Sequence, residues 1–63
     1  MNKNRRQRIS KILNQLEGIM EEEQEYFENI PENMQDGQYA EKSQESIDQL
    51  EYAVDALQQL LEL

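Results

Sequence analysis

The chain has 63 residues, enough for one small domain, and its charged fraction of 32% nearly matches its apolar fraction of 37%, the balance of solvated helices. It contains no Cys and no His, which removes disulfides, thiolate chemistry and the commonest general base and metal ligand. The net charge of −8 disfavours direct binding to nucleic acid, and no apolar run approaches the roughly 18 residues of a membrane span.

In chain order, the first segment is basic: residues 1–11 hold Lys3, Arg5, Arg6, Arg8 and Lys11 and no acid. The remainder holds all 14 acids against Lys42 alone. Ile9, Leu13, Leu16, Met20, Glu23, Phe27 and Ile30 then recur at spacings of 4, 3, 4, 3, 4 and 3. That alternation keeps one face of a helix in a single line, a heptad seam, and predicts a helix over about 5–29. Pro31 keeps Ile30 out of helical geometry and ends the segment. A turn over 30–37 is expected next, with Gly37 marking the bend and Asn33 and Asp36 both able to cap the second helix. Ala40, Ser43, Ile47, Leu50, Val54, Leu57 and Leu61 repeat the pattern and predict that helix over about 38–61.

Neither half has the alternating β-branched run of a strand. A short connection between two helices folds the chain back on itself, so the expected fold is all-α, an antiparallel two-helix hairpin over residues 1–63. With Ile30 set opposite Ala40, the successive layers are Phe27–Ser43, Glu23–Ile47, Met20–Leu50, Leu16–Val54, Leu13–Leu57 and Ile9–Leu61. The basic start of the first helix then lies beside the negative dipole end of the second, a structural role for Arg5, Arg6 and Arg8.

Flanking the seam on one side are Ile12, Ile19 and Tyr26 from the first helix and Tyr39, Ser46, Ala53 and Leu60 from the second. The other flank, with Ser10, Glu17, Gln24, Gln44, Glu51 and Gln58, is polar. An apolar strip beyond the seam is what a second pair of helices covers. Ile12, Ile19, Tyr26, Tyr39, Ala53 and Leu60 are therefore the expected interface of a homodimeric four-helix bundle or of a host protein.

Glu23 interrupts the seam, either as a registry charge or as a rim carboxylate bonded to Ser43, Ser46 or a tyrosine. Glu21, Glu22, Glu25, Glu28, Asp48 and Asp55 form an expected acidic contact surface, which can imitate spaced phosphates or simply be solvated. Tyr52 sits at an outward position where a tyrosine serves as an aromatic anchor or as ordinary surface. There is no nucleophile–base pair, no phosphate-binding glycine loop, no cofactor motif and no acidic metal loop, so neither enzyme activity nor a cofactor or metal is expected.

The stretch Tyr26-Phe27-Glu28-Asn29-Ile30-Pro31-Glu32-Asn33-Met34-Gln35, with Ile47-Asp48-Gln49-Leu50 and the basic opening Asn2-Lys3-Asn4-Arg5-Arg6, resembles short acidic helical-hairpin proteins carried by phages and prophages of Gram-positive bacteria. It departs from that pattern at Met34 and at Asp36-Gly37-Gln38. The resemblance implies a helical hairpin without an active site, in the cytoplasm of a bacterial host, binding and inhibiting an anti-phage defence protein. Two other functions fit the residues: a nucleic-acid-associated regulator using the basic segment 3–11, and a structural or assembly protein of a phage particle.

Overall fold

A computed structural model describes all 63 residues. Helix α1 spans Lys3–Glu28, a single 3-10 turn covers Glu32–Met34, and helix α2 spans Gln38–Leu61. The two helices pack against each other, and no strand is present. The molecule is a rod of 50 × 14 × 13 Å with a radius of gyration of 14.7 Å. A compact chain of this length would have a radius of gyration of about 10.6 Å, so the fold gives up globularity for length.

Two hydrogen bonds fix the antiparallel register. The Arg6 guanidinium donates to the Leu61 carbonyl, and the Ser43 hydroxyl donates to Glu23 Oε2 at 2.7 Å. Going from residue 6 to 23 on α1 therefore corresponds to returning from 61 to 43 on α2, nearly one residue for one. Ser43 lies by Glu23 and Leu61 by Arg6, three to four residues from the expected layers, in which Ser43 faces Phe27 and Leu61 faces Ile9. Every seam position from Ile9 to Ile30 and from Ala40 to Leu61 is buried or half-buried, which is the expected stripe.

The first helix begins two residues earlier than expected. Asn2 adopts an extended backbone, and its side chain accepts from the Arg5 amide at 2.8 Å. One of the orphan donors of the first turn is thereby satisfied, which extends the helix to Lys3. At the far end Asn29 closes α1, its amide donating to the Glu25 and Tyr26 carbonyls, and Pro31 comes after it in extended geometry. Gln35 Nε2 reaches back to the Ile30 carbonyl at 3.3 Å and ties the turn to the end of the helix.

The expected caps of α2 are not used. Asn33 lies inside the 3-10 turn and Asp36 precedes the cap position, which falls to Gly37 with no side-chain hydrogen bond. Gly37 has φ −92° and ψ 179°, so it is not there for a left-handed backbone. It is there for close approach: a Cβ at this position would lie 3.1 Å from the Met34 carbonyl oxygen, which already accepts from the Gly37 amide at 3.0 Å.

Gly18 has no such reason. A Cβ added there meets nothing within 4 Å. Gly in a helix interior costs roughly 0.5–1 kcal/mol relative to Ala. Gly18→Ala is therefore expected to stabilise the protein by about that amount, and a 1 kcal/mol gain raises the melting temperature of a domain this small by roughly 4–8 °C. An unchanged or lower melting temperature by circular dichroism would show that Gly18 is held by something other than its own helix.

Candidate interaction surface

Two helices leave the sides of their shared seam open, and the sequence fills the two sides differently. On one side, Ile12, Ile19, Tyr26 and Tyr39 are 53%, 52%, 50% and 63% exposed. Ala53 is also exposed, and Leu60 is half-buried. These are the six residues expected at an interface, and they stand in a row along the rod.

Ser46 interrupts that row only in name. Its hydroxyl donates to the Lys42 carbonyl at 2.9 Å, one turn back within α2. A serine bonded in this way has its polar group served by its own helix, so covering it needs no outside partner. The row widens at both ends. Near the turn, Tyr26, Asn29, Ile30, Pro31, Met34 and Tyr39 line a mainly apolar hollow of ≈ 300 Å³. At the open end of the hairpin, Met1, Arg5, Arg8, Ile9 and Ile12 line another of ≈ 250 Å³. Heptad spacing does not reveal the participation of Met34, Pro31 and Met1, because these residues lie in the turn or outside the helices.

Acids are scarce on this side. In the heptad frame, the apolar row and the outer positions next to it carry Arg5, Arg8 and Lys42 against a single acid, Glu22. The remaining 13 acids of the 14 lie on the seam, the turn, the outer face or the opposite flank. Glu21, Glu25, Glu28, Asp48 and Asp55 are all exposed. Glu22 is exposed too and lies one helical turn from Glu25, on the side of the acids nearest the apolar row. Asp48, Asp55 and Tyr52 do come together, with Gln49 and Glu51, around a polar hollow of ≈ 340 Å³ on α2. Tyr52 is 71% exposed there, so its ring is free to make a contact. No group of three or more acidic side chains converges in the manner of a metal site.

The charged intruder in the seam has a specific partner. Glu23 is half-buried and accepts from Ser43, which is 3% exposed, so a small hydroxyl on one helix answers the only acid in the seam of the other. No buried side-chain nitrogen or oxygen is left without a hydrogen-bond partner. Arg6 continues the same seam one step beyond Ile9 and caps α2, whose last turn contains no basic residue of its own. The arginine sits at the unfavourable, positive end of α1, but at the favourable, negative end of its neighbour.

No family model, curated protein or solved structure matches the chain.

The Glu23–Ser43 bond predicts an asymmetric response to substitution. Glu23→Ala leaves the Ser43 hydroxyl buried without a partner, and the expected loss is about 1–3 kcal/mol. Glu23→Leu combined with Ser43→Ala removes both partners and should recover most of that loss in urea unfolding. A double variant no more stable than Glu23→Ala would mean that the pair contributes more than mutual satisfaction.

Proposed function

We propose that the chain acts by protein–protein binding and carries out no chemistry of its own. It pairs with a second copy through Ile12, Ile19, Tyr26, Tyr39, Ala53 and Leu60 to form a four-helix bundle, and the paired molecule offers acidic outer faces to a further protein. The observation that carries this reading is the row of exposed aliphatic and aromatic side chains on a strip almost free of acids.

The amount of open surface supports it. A folded monomer of this mass, 7.5 kDa, exposes about 4,250 Å². This chain exposes 5165 Å². The excess of roughly 900 Å² is close to the ~800 Å² that each partner contributes to a standard interface.

The partner class is argued from the charges left outside. Glu21, Glu25, Glu28, Asp48 and Asp55, with Tyr52 as an aromatic anchor, suit a basic surface such as a nucleic-acid-binding groove. The resemblance to short phage proteins points to an anti-phage defence protein of the bacterial host as the target, bound and inhibited in the cytoplasm. Arg6, which a nucleic-acid arm would need, is engaged with Leu61, so the basic segment serves first as a clamp on α2. No helix is long and apolar enough to cross a membrane.

Sedimentation of the intact chain should give twice the monomer mass, and Ile19→Lys should reduce it to a single copy. A single copy at high concentration for the unsubstituted chain would end the pairing. For the target, expression in strains that carry an anti-phage defence should restore plaque formation, and Asp48→Lys with Asp55→Lys should remove the effect. Unchanged plating across such strains would eliminate a defence protein as the partner.

A further inference from the structure

The apolar row has a direction, because charge is divided along the rod. The half nearest the open end, residues 1–19 and 51–63, holds five basic side chains against Glu17, Glu51, Asp55 and Glu62, a net of +1. The half nearest the turn, residues 20–50, holds ten acids against Lys42, a net of −9, and the two halves together give −8. Arg6 is engaged by Leu61, but Lys3 and Arg5 are exposed in the first turn of their own helix, where they are poorly placed, and Arg8 and Lys11 are exposed just beyond it.

We propose that the second copy docks head to tail across this row, with the turn of each hairpin on the open end of the other. The inference rests on the homodimer proposed as the functional unit and specifies its geometry. Two flat hairpins can stack with a two-fold axis in only two ways. If the turns share an end, α1 lies over the partner's α2, and two halves of net −9 lie side by side. If the turns are at opposite ends, α1 lies over the partner's α1, and each −9 half meets a +1 half. Like charges at close quarters disfavour the first arrangement, and opposite charges favour the second.

The residues of the row fit the second arrangement. Ile12 and Tyr26 lie seven places on either side of Ile19, so Ile19 meets its own copy and each Ile12 meets a Tyr26. On α2 the midpoint of Tyr39 and Leu60, between Ser46 and Ala53, falls within about two residues of the point opposite Ile19, so each tyrosine comes to lie near a leucine and each serine near an alanine. Aromatic rings thus face aliphatic side chains, and small residues face small ones. The hollow at the turn, lined by Tyr26, Met34 and Tyr39, comes to lie on the open-end hollow lined by Met1, Arg5 and Ile12. Arginine guanidinium groups and tyrosine rings are thereby brought to the same place, a favourable pairing of cation and ring face. Arg5 and Arg8 also approach the acids that surround the partner's turn, among them Glu25, Glu28 and Glu32.

The absence of cysteine makes the geometry testable by single-cysteine variants. Ile12→Cys mixed with Tyr26→Cys should cross-link through a short bis-maleimide, and Ile19→Cys should cross-link to itself. The arrangement with turns at one end would instead join Ile12→Cys to Ala53→Cys, and Ile19→Cys would stay single. Arg5→Glu with Arg8→Glu takes the +1 half to −3 and should weaken the head-to-tail dimer several-fold at about 50 mM salt, a loss that about 500 mM salt narrows because screening shortens the reach of the charges. Joining of positions 12 and 53, or a double arginine variant that pairs as tightly as the unsubstituted chain at low salt, would overturn the head-to-tail arrangement while leaving the pairing intact. A chain that sediments as one copy and cross-links nowhere would overturn the pairing itself.

Discussion

Two α-helices lying side by side touch along one strip, so a residue on that strip is covered from one direction and open from two. In this chain no side chain falls below 2% exposure, and only six residues are buried at all. Leu13, Ile47 and Val54 are as covered as the hairpin can make them; Leu16, Met20, Phe27, Leu50 and Leu57 remain half-open. The cost of ordering a chain rises with its length, while apolar burial in a two-helix rod grows along one line only. The seam therefore brings the helices together without enclosing a core.

The polar features of the seam answer the same geometry. A carboxylate in a well-enclosed core is expensive, but Glu23 lies at a half-open position and needs only the Ser43 hydroxyl to be satisfied. At the open end, Arg6 takes over the seam where apolar residues stop and closes α2 from the side. The first helix thus supplies what the second lacks: α2 has no basic residue in its last turn, and Arg6 takes that place. The same distribution makes the rod electrically lopsided, so any apolar contact it makes also has a preferred direction.

The heptad pattern makes the two helices, the seam and the exposed row legible, because spacing of threes and fours depends only on the helix repeat. It also makes Glu23 conspicuous, with Ser43 among its expected partners. The turn is less legible. Asn33 and Asp36 have the chemistry of caps, but the backbone of a 3-10 turn places them before the cap position, and side-chain type alone does not reveal backbone path. Asn2 is the opposite case, a cap recognisable by its residue type, yet hidden from the periodicity because the seam begins only at Ile9. Met34 joins Tyr26 and Tyr39 through the turn, and heptad counting stops at Pro31.

If the hairpin depends on a second copy for its missing burial, folding and association are one equilibrium, and stability must depend on protein concentration. The direct measurement is thermal unfolding by circular dichroism at concentrations from about 5 to about 500 μM. The melting temperature should climb by several degrees over that range, with one transition at each concentration. A melting temperature independent of concentration, from a molecule that stays a single folded copy throughout, would show that the seam between α1 and α2 suffices and that the apolar row has no partner of its own kind.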